Sequence, residues 1–214
     1  VLGLRLSGVT VVAPGGQAIL AGVDLTIQPG EVVALVGATG TGKSTLASLL
    51  PRLRDPDSGT VEVGSNAAGW HNVRNLRLNE LRQRVQVVYQ DSFLFSATVA
   101  ENLRFAAPDA DEARIHEALR LAAAEDVLAS MSDGLASRIG ERGVTLSGGQ
   151  RQRLCLARAI IARPAIICCD DSTSALDAVT ERRILDQMRT AANGASLLLI
   201  ASKLSTILLS DRVV

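Results

Sequence analysis

Apolar residues along the first third of the chain come in short runs cut by turn formers. Pro14-Gly15-Gly16 and Pro29-Gly30 divide the first thirty residues into β-like runs at 2–6, 9–13 and 23–27. Residues 31–36 (EVVALV) are apolar at nearly every position, as in a strand buried on both faces. A Gly-rich loop follows, then an apolar helix from 43 to about 53, ended by Pro56 and Gly59. Strands are predicted at 60–63 and 85–89. From 92 to about 142 the pattern turns helical and Ala-rich, with helices predicted at 110–123 and 125–131. Beyond that come a helix at 147–162, halted by Pro164, a strand at 165–169, a helix at about 178–192 and a strand at 196–200. Strands alternating with helices predict an α/β core around a parallel sheet, with residues from about 91 to 157 as a helical insertion in it. No repeat or low-complexity stretch interrupts the series.

Composition narrows the function classes. With 214 residues and 47% hydrophobic content the chain can bury a sizeable core, which excludes intrinsic disorder. The 22 Lys plus Arg balance 22 Asp plus Glu, so binding to nucleic acid or an anionic membrane through bulk charge is disfavoured. The longest apolar runs, 196–201 and 165–169, fall far short of the roughly 20 residues of a membrane span. Cys155, Cys168 and Cys169 form neither a CxxC pair nor a disulfide framework, so a reduced compartment is expected. The first residues carry no signal-peptide pattern, and a chain running from Val1 to a strand-like Arg212-Val213-Val214 reads as a piece of something longer. Lysine occurs only at Lys43 and Lys203, and no aromatic residue precedes Trp70.

Lys43 stands at the one place where its charge is diagnostic. Gly37 to Ser44 reads GATGTGKS, matching G-x-x-x-x-G-K-[ST] directly after a predicted strand and at the start of a helix. Glycines let backbone N–H groups close around phosphate oxygens, and the helix start adds partial positive charge. Lys43 can reach the β- and γ-phosphates, and the Ser44 hydroxyl can ligate Mg²⁺. A chance match in a chain of this length is on the order of one per cent from average residue usage. These residues predict binding of a nucleoside triphosphate. Residues 165–171 (AIICCDD) are an apolar strand ending in carboxylates, and Asp170 is the candidate Mg²⁺ holder. Residues 146–153 (LSGGQRQR) open a long helix, with Ser147 as N-cap and Gly148 and Gly149 exposing N–H groups as a second anion site.

Taken in order, these motifs resemble the nucleotide-binding domain of ABC transporters over essentially the whole chain. GATGTGKST resembles the family's Walker A, Gln90 its Q-loop, LSGGQ its signature, IICCDD its Walker B, and Ser174-Ala175-Leu176-Asp177 its D-loop. Residues 139–143 (IGERG) and 90–102 (QDSFLFSATVAEN) resemble the exporter branch in particular. The resemblance implies a P-loop NTPase (RecA-like) α/β core with an N-terminal antiparallel β subdomain, formed by residues 1–90 and 158–214. Residues 91–157 would be an inserted α-helical subdomain carrying the signature. It further implies that Gly37, Thr39, Gly40, Thr41, Gly42, Lys43, Ser44, Thr45 and Gln90 contact ATP. Ser44, Gln90 and Asp170 would hold Mg²⁺, while Ser147, Gly148, Gly149 and Gln150 would face the ATP of a second nucleotide-binding domain in a head-to-tail dimer. The Gln90 region and the insertion would dock on a transmembrane domain at the cytoplasmic face of the membrane.

Three positions depart from the family pattern. Where the family has a glutamate after the Walker B aspartate this chain has Asp171, a carboxylate drawn back by about 1.5 Å, one C–C bond. A misplacement of that size can cost on the order of a hundredfold in rate. The switch histidine falls on Ser202, whose side chain is too short to reach a γ-phosphate. His71 and His116, in a polar loop and an amphipathic helix, read as surface residues and substitute for neither. The aromatic that stacks on adenine falls on Ala13, a loss of about 1–3 kcal/mol by analogy with base stacking. All three lie in the site built on this chain's own P-loop, while its LSGGQ is intact. That pattern resembles the degenerate half of a heterodimeric exporter. The alternatives are a homodimer turning over slowly through Asp171, a regulatory ATP-binding subunit without turnover, and a soluble DNA-repair or chromosome ATPase. The last is disfavoured by neutral charge and the lack of a coiled-coil insertion. The sequence assigns no function to residues 64–79.

Overall fold

The turn predicted at Pro14-Gly15-Gly16 folds the first two strands against each other in the computed structural model, which describes residues 1–91, 93–140, 146–191 and 194–214. Positions 92 and 141–143 of the two exporter-like segments, and the predicted helix end at 192, lie outside the described residues. β1 (Gly3–Val12) and β2 (Ala18–Ile27) pair antiparallel, closed by Ala13 N–H to the Gln17 carbonyl at 2.8 Å. The runs predicted at 2–6 and 9–13 are one strand, not two. Gly8 takes φ +56°, so the strand bends and its register slips without breaking. β4 (Ser58–Ser65) flanks β1 on its other side and β5 (Gly69–Asn72) adds to β4, giving the order β2-β1-β4-β5. β5 falls in the polar 64–79 stretch, where no alternation marks it. Trp70 lies 4.1 Å from the Arg5 guanidinium, which also pairs with Glu62 at 3.5 Å, so this stretch fastens three strands together.

The second sheet is parallel, ordered β6-β7-β8-β3-β9, from β3 (Val32–Leu35), β6 (Val85–Val88), β7 (Ile166–Asp170), β8 (Ser196–Ile200) and β9 (Arg212–Val213). β3, β7 and β8 are apolar at nearly every position because both their faces are covered, whereas the edge strands β6 and β9 carry Gln86 and Arg212. Side chains alternate between them: Val32, Ile167, Cys169, Leu197 and Leu199 enter one core with the inserted helices. Val33, Ile166, Cys168, Leu198 and Ile200 enter the other, with α1 (Lys43–Leu49) and the antiparallel sheet. The α/β class and both sheets are as expected. All three cysteines are buried free thiols, and burial pushes the Cys169 thiol up to about 11.

Helix ends depart from the periodicity where local chemistry intervenes. α1 stops at Leu49, short of the predicted 53, because Pro51 has no N–H to continue the ladder and Arg52 turns left-handed at φ +55°. α4 (Glu112–Leu121) is shorter than predicted at both ends: Asp111 caps its start and Ala123 turns left-handed at φ +50°. Its buried stripe of Ile115, Ala118, Leu119 and Ala122 packs on α6 (Gly148–Ile161), and Arg114 donates to the Ile161 carbonyl at 2.6 and 3.0 Å, closing the end of α6. α2 (Leu78–Arg84) is not predicted; α3 (Val99–Arg104) falls in the stretch read as helical but is not placed as an element, and α5 (Glu125–Ala129) is predicted. α7 (Ala178–Ala191) and α8 (Leu204–Ile207) flank β8 in sequence. Among the described residues no helix is long and apolar enough to cross a membrane.

Asn102 holds the 93–98 segment onto α3. It is fully buried, accepts from Phe95 N–H at 2.8 Å, and donates to the Phe95 and Thr98 carbonyls at 3.1 and 3.0 Å. Asn102→Leu leaves those buried backbone groups unpaired and is expected to cost about 2–3 kcal/mol. Urea unfolding checks this; an unchanged midpoint would contradict it.

Candidate functional site

β3, β7 and β8 are adjacent and parallel, so their C-terminal ends come together: Leu35 pairs with Ile200, and Ile200 with Asp170. Everything that follows these three strands therefore converges on one edge, the usual ligand position of an open α/β sheet. After β3 the chain forms the 37–42 loop. Gly40 and Gly42 take φ +85° and +89°, and a Cβ on Gly42 would lie 2.9 Å from the Ile19 carbonyl oxygen. Glycine at 42 is thus required twice, by conformation and by the close approach of β2. Lys43 curls back so that Nζ donates to the Gly37 and Ala38 carbonyls at 2.7 and 2.8 Å, while the Thr41 hydroxyl donates to Ala38 at 2.9 Å. Thr39, Gly40, Thr41 and Ser44 are exposed and Thr45 is half-buried.

At the end of β7, Asp170 is only 5% exposed. Burial raises its carboxyl above the ordinary range; the Ser44 hydroxyl hydrogen bond and the Lys43 charge act against that, and the Asp171 charge adds to it. A hydroxyl and a buried carboxylate side by side, next to an ammonium, are the hard donors that fit Mg²⁺, which keeps much of its water and takes few protein ligands. Among the described residues no cluster of three or more His, Cys, Asp or Glu suited to a metal occurs. Gln90 is exposed in the turn after β6, on the same sheet edge but beyond the strand of Asp170.

Asp171 is half-buried and left-handed at φ +47°; its N–H donates to the Ile200 carbonyl at 2.9 Å. Ser202 follows β8 and is exposed. Position 171 is thus tied to the strand that leads into 202. Ala13 sits at the β1–β2 turn, and Ile19 and Leu20 of that hairpin pack against Gly42, so the hairpin borders the loop. His71 and His116 are exposed, as expected.

Ser147 and Gln150 form a capping box at the start of α6: Ser147 Oγ accepts from Gln150 N–H at 3.2 Å, and Gln150 Oε1 from Ser147 N–H at 2.9 Å. Ser147 and Gly148 are exposed. Among the described residues no hydrogen bond joins this turn to residues 37–45. It packs instead on the turn after β7, with Gly149 against the Ala175 carbonyl.

Sequence reasoning missed a groove between the parallel sheet and the insertion, lined by Gln86, Tyr89, Phe93, Phe95, Phe105 and Arg158. Phe105 is 70% exposed and its ring lies 4.6 Å from that of Phe95. Burial, with smaller contributions from the Cys168 and Asp170 charges, pushes the Tyr89 phenol up to about 12. Its hydroxyl and Arg158 Nη1 are buried without partners. The scarcity of aromatic residues was the available signal, since four of the five gather here.

Known proteins resemble this chain throughout. The ABC transporter family model matches residues 20–174. The ATP-dependent lipid A-core flippase of Ralstonia nicotianae is 42% identical over 215 residues, covering 99% of this chain and 36% of the flippase. The heterocyst differentiation ATP-binding protein HepA of Nostoc is 42% identical over 196 residues, covering 92% of this chain and 32% of HepA. A bacterial Atm1-family ABC exporter solved with ATP bound superposes with a TM-score of 0.90 at 35% identity, over 99% of this chain and 36% of the exporter. The chain thus spans about a third of the length of these relatives. On the match to residues 20–174 and this identity throughout, the chain belongs to the ABC transporter family.

Proposed function

We propose that the chain is the ATP-binding motor domain of an ABC exporter, and that its own nucleotide site is degenerate. The observation that carries the reading is the convergence of Lys43, Ser44 and Asp170 under the 37–42 loop. The loop N–H groups and Lys43 hold the phosphates, and Thr39, Thr41 and Thr45 line the same loop. Ser44 and Asp170, with Gln90 at the edge, would hold Mg²⁺, which would supply charge neutralisation for the bound phosphates. Asp171 would orient the attacking water, and Ser202 occupies the place of the group that contacts the γ-phosphate. With a carboxylate about 1.5 Å short and no imidazole at 202, that site retains ATP and hydrolyses it slowly.

The Ser147-Gly148-Gly149-Gln150 turn, exposed at Ser147 and Gly148, completes the competent site of a second nucleotide-binding domain, a different chain, in a head-to-tail dimer. We take residues 1–90 with 158–214 as the ATP-binding core and 91–157 as the helical subdomain; α6 runs unbroken across the proposed boundary at 157/158. The groove of Phe93, Phe95 and Phe105 receives a transmembrane domain at the cytoplasmic face, where its unpartnered Tyr89 and Arg158 groups find acceptors and donors.

Phosphate release separates the readings. Alone, the chain is expected to bind MgATP with a turnover at least about a hundredfold below that of a site with the full catalytic set. Mixed with a domain carrying Glu and His at the matching positions, activity should appear and should be lost on Ser147→Ala in this chain. Turnover by the chain alone near normal exporter rates overturns the degenerate-site reading, and slow turnover that no partner domain raises supports the homodimer instead. Binding with no turnover in any mixture supports a regulatory subunit.

A further inference from the structure

Glu181 lies in the first turn of α7 and is fully buried, although the helix is otherwise largely polar. A carboxylate taken from water costs several kcal/mol unless its oxygens are satisfied. Here three hydroxyls donate to it: Thr173 and Thr206, each at 2.5 Å to Oε1, and Ser205 at 2.9 Å to Oε2. Thr173 belongs to the turn after β7, whereas Ser205 and Thr206 belong to α8, three and four residues beyond Ser202. Lys203 fastens the same two segments a second time, its Nζ donating to the Thr173 and Leu176 carbonyls at 3.2 and 2.9 Å.

The far side of that turn is held as firmly. Gln152 of α6 donates through Nε2 to Ser174 Oγ at 3.1 Å and accepts from Ala175 N–H at 3.0 Å. Gly148 and Gly149 close on Ala175, where a Cβ at Gly149 would meet its carbonyl oxygen at 3.1 Å. Residues 173–177 are therefore clamped between the segment containing Ser202 and the helix start that carries Ser147.

We propose that Glu181 is a positioning residue that makes residues 173–177 and 202–206 move as one body. Nucleotide at this chain's own site, which Asp170 and Asp171 border, displaces that body from its 171 end, where Ser174 N–H donates to the Asp171 carbonyl at 3.1 Å, and the displacement is delivered, through Gln152, to the Ser147–Gln150 turn that serves the other site. This rests on the reading that MgATP binds at Lys43, Ser44 and Asp170. A contiguous chain of contacts is not itself coupling, so the test must separate transmission from stability.

Hydrogen exchange on the full chain, with and without MgATP, reads both. Nucleotide is expected to slow exchange in 37–46, 173–177 and 147–150 together. In Glu181→Ala the slowing at 37–46 persists, while that at 173–177 and 147–150 falls by at least about tenfold. Gln152→Ala should lose the response at 147–150 alone. A merely structural role would instead raise exchange equally with and without nucleotide. If Glu181→Ala does not fold, Ser205→Ala and Thr206→Val, which each remove one donor, should give a partial loss of the same responses. Full responses at 173–177 and 147–150 in these variants overturn the proposal. No slowing at 37–46 in the unaltered chain overturns the nucleotide-site reading and the relay with it.

Discussion

Lys43→Ala is expected to weaken MgATP binding by about ten- to a hundredfold while leaving the fold intact. The Lys43 ammonium is held at the loop by the Gly37 and Ala38 carbonyls at 2.7 and 2.8 Å, which preorganises a charge where phosphate oxygens would lie. A charge-assisted hydrogen bond contributes about 1.5–3 kcal/mol, and losing the upper value corresponds to roughly a hundredfold in Kd. Ala13 makes the loss more telling. Without an aromatic stack on the base, phosphate contacts carry a larger share of affinity. Lys43→Arg should not rescue, because a planar fork cannot occupy the tight turn of two carbonyls that a point charge fits. Titration with a fluorescent ATP analogue checks binding, and thermal unfolding checks the fold. A folded Lys43→Ala protein binding within threefold of the unaltered chain would show that the loop is not the nucleotide site.

Asp171→Glu combined with Ser202→His is expected to raise hydrolysis at this chain's own site by about a hundredfold when it is assembled with its partner. The longer carboxylate recovers about 1.5 Å of reach, and the imidazole reaches where a serine hydroxyl cannot. Backbone geometry works against the first change. Asp171 is left-handed at φ +47°, a conformation that aspartate tolerates better than glutamate, so the substitution costs on the order of 1 kcal/mol of stability. The single changes should each recover much less than the pair, because position 171 is bonded to the strand leading into 202 and the two act on one reaction. An imidazole at 202 should also introduce a fall in rate below about pH 6.5 that the unaltered chain lacks. Phosphate release across pH measures both effects. An unchanged rate in the double variant would place the defect elsewhere.

The features legible in the sequence are those whose physics is local. GATGTGKS needs only a strand, a tight glycine turn and one lysine, all within a dozen residues. The LSGGQ helix start is a capping box spanning four residues. The inner strands of the parallel sheet are readable because burial on both faces makes nearly every position apolar. Element ends were less legible where a single residue overrides periodicity, as Pro51 with Arg52 ends α1 and Asp111 starts α4. β5 escaped because it is a short edge strand whose hold is Trp70 on Arg5, a cross-strand contact invisible along the chain.

The sequence by itself determined the candidate nucleotide loop, the hydroxyl and carboxylate proposed to hold Mg²⁺, and the three positions read as departures, since each is a matter of residue type at a fixed offset. Only the tertiary structure decided the rest. Glu181 reads as one more charge on a polar helix until β7 and β8 bring Thr173, Ser205 and Thr206 around it. Gln152 is an ordinary helix residue until the turn at 174–175 folds onto it. The groove of Phe93, Phe95 and Phe105 forms only when the insertion closes on β6. Burial and hydrogen-bond satisfaction of a side chain depend on residues tens of positions away, and no local pattern encodes them.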